Sequence, residues 1–252
     1  MRICFIGNSH LGHAGRAVRA LLKDTPHEAD LFIERSYGTE SLAIRHGEGV
    51  DALARVPVDP RSGAEVRVED YDAFVVVGLM FSLVRQVERS VDFQRDTYRG
   101  PRPGQIASEA MYQHYLDGLF DATKARLVMD TLRRVTDRPV WLVPQPLPLS
   151  WVRHRTGERF EVFGDLYACG EAERTLADFN RQVERVRQRG VQVLPQPVST
   201  VVDGMFTRDE YGLADPQDQS EESFYQRGDF YHMNADYGRE QMQVLFGRMG
   251  LS

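Results

Sequence analysis

Five short apolar runs punctuate the chain, at residues 3–6, 31–33, 74–77, 140–143 and 191–194, each free of charge and rich in β-branched or aromatic residues. A strand with one wet face alternates polar and apolar side chains. These runs carry no charged residue, so they read as strands covered on both faces. Between them stand segments of helical period: Leu11, Ala14, Val18 and Leu21 after the first run, then Tyr112, Leu116 and Leu119 followed by Val128, Leu132 and Val135 before the fourth. Leu176, Phe179, Val183 and Val186 repeat the pattern before the fifth run and stop at Gly190, a residue suited to the left-handed position that closes a helix. Parallel strands need crossover connections, which helices supply. The alternation therefore predicts an α/β protein with one open parallel sheet and helices on both faces.

Ligands of such sheets bind beyond the carboxyl ends of the strands. Here those ends carry Gly7-Asn8-Ser9-His10, residues 34–38, Gly78-Leu79-Met80, Pro144-Gln145-Pro146 and Pro195-Gln196-Pro197. Three stretches, at about 85–108, 151–170 and 198–228, fall outside the alternation and read as long loops over the sheet edge. With no internal repeat and no linker, residues 1–252 read as a single domain.

Composition narrows the function classes. With 252 residues, 42% of them hydrophobic, the chain can bury a sizeable core, which excludes disordered and fibrous readings. Its 31 Lys and Arg against 37 Asp and Glu leave a formal charge of −6, which opposes a broad phosphate-neutralising surface. The two cysteines, Cys4 and Cys169, form no CxxC and no zinc spacing with His, and fit a reducing compartment. No stretch reaches the roughly eighteen apolar residues of a membrane helix, and Met1-Arg2 leads straight into Ile3 without a secretory signal. A cytoplasmic protein is expected, with neither nucleic acid nor membrane as partner.

Two constellations carry chemistry. In Gly7-Asn8-Ser9-His10-Leu11-Gly12, a buried strand turns into an amphipathic helix. Ser9 then has its hydroxyl at a helix N-terminus, where unpaired N–H groups favour developing negative charge; a plain helix cap would also suit a serine there. The second is Asp229-Phe230-Tyr231-His232-Met233-Asn234, just ahead of a final helix over about 235–248. Asp and His three residues apart on a turn can pair, leaving the other ring nitrogen to face a nucleophile.

A first strand followed by Gly-Asn-Ser-His, and an Asp-x-x-His before the last helix, resembles the SGNH (GDSL-like) hydrolase superfamily in chain order and over the whole length. The resemblance implies a three-layer α/β/α sandwich on a five-stranded parallel, flavodoxin-like sheet. It also implies Ser9 as nucleophile, His232 as general base and Asp229 as the carboxylate that orients it; no cofactor or metal is expected. Two departures stand out. The usual Gly-Asp-Ser is here Gly7-Asn8-Ser9, and the Gly-x-Asn-Asp block expected after the 74–77 strand reads Gly78-Leu79-Met80-Phe81, so Met80 stands where an oxyanion asparagine would be. Losing one such donor costs on the order of 3 kcal/mol. Asn8, Gln145 and the Gly78 N–H are candidate substitutes, and Gly38, with Gly47 or Gly49 as alternatives, would be the second-block glycine.

The expected activity is a serine-dependent esterase acting through an acyl-enzyme on a small acyl ester, the loops' Arg, Tyr and Asp residues fitting a carbohydrate or similar polar molecule. An O-acyltransferase of polysaccharide modification using the same nucleophile is one alternative, and a non-catalytic SGNH-like binding module is another. A phosphate-binding loop is disfavoured because His13 and Ala14 stand where Lys and Ser or Thr would be needed. His10 and His13 are loosely spaced for a metal. Trp151 could stack on a sugar, and Arg95, Arg99 and Arg102 could meet an anion.

Overall fold

The computed structural model describes residues 1–34, 42–47, 53–56, 65–90, 93–98, 100, 104–213, 224 and 226–251. The five apolar runs form the central sheet: β1 (Arg2–Gly7), β2 (Glu28–Ile33), β3 (Ala73–Val77), β4 (Val140–Val143) and β5 (Gln192–Val193). All neighbours run parallel, in the order β2-β1-β3-β4-β5. This is the flavodoxin-like order, in which the chain switches direction across the sheet between β1 and β3 and opens a crevice there.

The unbroken hydrophobicity of the runs in β1, β3 and β4 follows from burial on both faces, since successive side chains point to opposite sides. Ile3, Phe5, Val75, Val77, Trp141 and Val143 share one core with α1 (Ser9–Leu22) and the last helix, α7 (Ala235–Met249). Cys4, Ile6, Phe74, Val76, Val140 and Leu142 pack on the other side. There they meet α2 (Leu83–Ser90), α4 (Lys124–Val135), α5 (Glu158–Ala168) and α6 (Ala172–Arg187), with α3 (Glu109–Asp121) joining through Phe120. The molecule is a three-layer α/β/α sandwich.

The stretches expected as long loops hold short elements. Residues 85–108 contain most of α2 and a parallel pair, Phe93–Arg95 with Gln105–Ala107. Residues 151–170 contain most of a 3₁₀ turn, Ser150–His154, and all of α5. Three glycines, Gly157, Gly164 and Gly170, make that helix read as a loop, yet Gly164 is a packing requirement: a Cβ there would lie 2.6 Å from the Arg153 carbonyl oxygen. Residues 198–228 hold a hairpin, Val201–Val202 with Phe206–Thr207, turned by Asp203 and Gly204 at φ +49° and +76°. A small sheet of Leu53–Val56, Leu42–Arg45 and Glu65–Arg67 also forms; its strands are too short and too interrupted by charge to announce themselves. Among the described residues no helix is long and apolar enough to cross a membrane.

Candidate active site at the β1–β3 switch point

The turn after β1 is fixed by close packing. Gly7 pairs with Val77, and a Cβ on Gly7 would come within 2.8 Å of the Val77 carbonyl oxygen, so only glycine lets β1 and β3 end side by side. Asn8 then caps α1 with extended backbone, its side-chain oxygen accepting from the His10 N–H at 3.4 Å. Ser9 is the first residue of the helix and is exposed, with its own N–H free of any acceptor among the described residues.

The turn that carries Asp229 and His232 is tied down from several sides. The Asp229 N–H donates to the Phe224 carbonyl, the Leu149 N–H to that of Phe230, and the Asn234 N–H to that of Tyr211. Phe230 is fully buried among the rings of Trp151, Phe160 and Phe163. Asn234 caps α7 by accepting from the Tyr237 N–H at 3.2 Å while its amide donates to the Glu210 carbonyl. α7 in turn lies close on α1, since a Cβ on Gly238 would lie 3.0 Å from the His13 carbonyl oxygen.

These supports bring three predicted residues into one line. Ser9 Oγ lies 2.8 Å from His232 Nε2, and His232 Nδ1 lies 2.7 Å from Asp229 Oδ2. The second carboxylate oxygen of Asp229 accepts from the backbone N–H groups of Tyr231 and His232 at 3.2 and 3.1 Å. Burial works to raise the Asp229 carboxyl, but the hydrogen bond and charge of His232, with the two N–H donors, outweigh it and hold the group below its ordinary value. A carboxylate so held keeps the imidazole proton on Nδ1 and leaves Nε2 to accept from the serine hydroxyl.

The remaining candidates fall out differently. The Gly78 N–H is not available for an oxyanion, because it continues the sheet ladder by donating to the Val143 carbonyl at 2.9 Å. Gly78 serves geometry instead. At φ +69° it starts a left-handed turn, and a Cβ on it would lie 2.7 Å from the Asn8 side-chain oxygen and 3.1 Å from Gln145 Cγ. Asn8, Gly78 and Gln145 thus converge beside Ser9. Leu79 and Met80 continue the turn at φ +47° and +72°, conformations that strain any side chain other than glycine. Leu79 is fully buried and its carbonyl accepts from the Ala125 N–H, which anchors the strained turn.

Gly38 and Gly49 lie outside the described residues; Gly47 gives its N–H to Glu69 Oε1. Trp151 is buried against the rings that support the Asp229 turn and offers no face to a sugar. Arg95 is buried in an ion pair with Asp178, while Arg99 and Arg102 lie outside the described residues. Among the described residues no group of three or more His, Cys, Asp or Glu side chains is arranged to hold a metal.

An open cleft of about 270 Å³ lies before Ser9, lined also by Asn8, His10, Met80, Gln145, Tyr231 and the start of α2. Behind it, the buried ring of His10 lies against that of His232, with centroids 4.7 Å apart and planes 22° from parallel. Nothing in the spacing of the sequence signals that stack, or the contribution of α2 to the cleft.

No family model matches the chain, and no curated protein matches it. Solved structures that resemble it over 98% of its length include the following two. One is a candidate acylhydrolase of Bacteroides fragilis, 11% identical, with a TM-score of 0.45 and 85% of that chain covered. The other is a GDSL-like lipase of Bacteroides thetaiotaomicron, also 11% identical, with a TM-score of 0.42 and 86% of that chain covered.

Proposed function

We propose that this protein is a serine hydrolase of SGNH type that cleaves a small acyl ester through an acyl-enzyme. The observation that carries this reading is the continuous hydrogen-bonded line from Ser9 through His232 to Asp229, at 2.8 and 2.7 Å. Ser9 Oγ attacks the ester carbonyl carbon as its proton passes to His232 Nε2, and Asp229 stabilises the imidazolium without taking the proton. The Ser9 N–H, at the positive end of α1, faces the oxyanion, with the amides of Asn8 and Gln145 as further donors within the cleft. The tetrahedral intermediate collapses as His232 returns its proton to the departing alcohol. Water, deprotonated by the same imidazole, then attacks the acyl-enzyme, releasing the acid and restoring Ser9. Exposure of Ser9 leaves that water a path, which favours hydrolysis over transfer to a sugar hydroxyl.

Intact-mass measurement after treatment with a fluorophosphonate, and with para-nitrophenyl acetate, tests the reading. The expected result is a single adduct on Ser9 that is absent in Ser9→Ala and greatly slowed in His232→Ala. An unlabelled wild-type protein, or an adduct elsewhere, would overturn it.

A further inference from the structure

One wall of the Ser9 cleft is formed by α2, where Ser82 just before the helix and Arg85 and Glu88 within it line the same space as Ser9, Gln145 and Tyr231. The Ser82 hydroxyl accepts from the Arg85 N–H at 3.0 Å and so caps the first turn. The Arg85 side chain is half-buried, and its guanidinium makes no hydrogen bond and no ion pair among the described residues. Its Nε is closed off from solvent with no acceptor. Burial and the like charge of Arg89 pull the guanidinium below the ordinary arginine value, against the opposite pull of Tyr115 and Glu88. A cation partly withdrawn from water and given no direct ion pair among the described residues costs free energy. Its partner is missing from the protein's own described side chains, and the space it faces is the cleft of the nucleophile.

We infer that Arg85 receives a carboxylate carried by the substrate, so that the ester presented to Ser9 is an anionic one; this rests on the serine-hydrolase reading above. The planar fork of a guanidinium matches a carboxylate in two parallel hydrogen bonds. The N-terminus of α2, on the same wall, adds its dipole to the attraction. Glu88 on that wall opposes a second negative charge, which favours a carboxylate over a phosphate dianion.

The test uses two matched pairs of esters. para-Nitrophenyl hydrogen adipate against para-nitrophenyl hexanoate places the charge on the acyl side; para-acetoxybenzoate against its methyl ester places it on the alcohol side. Wild type is expected to favour the charged member of one pair by about tenfold or more in kcat/KM, chiefly through KM, as a charge-assisted hydrogen bond predicts. Arg85→Gln should abolish that preference, and Arg85→Lys should retain part of it. A wild-type enzyme that turns over the neutral esters without preferring the charged ones, or a preference that survives in Arg85→Gln, overturns the role of Arg85 alone. No turnover of any of the four esters by wild type removes the hydrolase reading and this inference with it.

Discussion

His10 and His232, 222 residues apart in the chain, stack face to face with ring centroids 4.7 Å apart. The His232 imidazole that faces Ser9 is therefore held on one side by Asp229 and on its flat face by a second imidazole. Tyr231 flanks it at 4.8 Å in a tilted contact. Aromatic pairs of this kind contribute roughly 0.5–1.5 kcal/mol beyond their burial. His10→Ala is accordingly expected to lower kcat some three- to tenfold with little change in KM, and His10→Phe to restore most of the loss. Equal kcat in all three proteins would remove His10 from the positioning of the base.

The same residue sets an acid limit on stability. Burial, then the nearness of His232 and His13, pushes the His10 imidazole well below its ordinary value, so the folded protein keeps it neutral. An unfolded chain takes up that proton at about pH 6.5. Below that pH the unfolded state binds more protons than the folded one, and stability falls as pH falls, by up to about 1.4 kcal/mol per pH unit for this group. Asp229, held below its ordinary value, acts in the same direction further into acid. Urea unfolding at about pH 7.5 and pH 5.5, the range in which an ordinary histidine titrates, should show a larger loss for wild type than for His10→Phe. Identical losses would place the acid sensitivity elsewhere.

Asp229→Asn keeps the shape of the turn and the acceptor for the Tyr231 and His232 N–H groups, but not the charge that holds the Nδ1 proton. By the general behaviour of such relays, kcat should fall by about three to four powers of ten with the fold retained. Circular dichroism and melting temperature check the fold, and single-turnover acylation checks the chemistry. A kcat within tenfold of wild type would mean that His232 does not depend on this carboxylate.

Gly78→Ala would place a Cβ against the Asn8 side-chain oxygen, at a backbone φ of +69°. The left-handed conformation alone costs roughly 1–2 kcal/mol. Moving Asn8 also loosens the cap of α1, whose first residue is Ser9. A lowered melting temperature together with a reduced kcat is expected; an active variant of unchanged stability would show that Asn8 and Gln145 yield freely.

What the sequence made legible was whatever burial on both faces or local spacing could write into it. The unbroken runs at β1, β3 and β4 announced the sheet because helices cover both sides. Ser9 was legible as the start of a helix after a buried strand, and Asp229 and His232 as a pair on one turn. The rest depended on partners distant in the chain. That Val143 takes the Gly78 N–H is decided by how far β4 extends beside β3, which residue types do not record. The helix α5 stayed hidden because its internal glycine answers to Arg153 rather than to helix propensity. Arg85 carries no such signal, since an arginine on a short amphipathic helix ordinarily faces water.

Met80 offers a test that gains rather than loses. It borders the cleft beside Asn8 and Ser9 and adopts φ +72°. Among residues with a side chain, asparagine tolerates that conformation best. The resemblance drawn from the sequence also puts an oxyanion-binding asparagine at this position. Met80→Asn should therefore ease the backbone and bring an amide donor to the cleft. One well-placed donor changes kcat by about a hundredfold or more in enzymes of this chemistry; an asparagine placed without further optimisation should recover at least roughly tenfold of that. Melting temperature should hold or rise at the same time. If kcat for para-nitrophenyl acetate is unchanged while the fold is intact, the oxyanion is already fully served by groups such as Ser9, Asn8 and Gln145. A fall in kcat would instead mean that the methionine side chain itself holds the substrate.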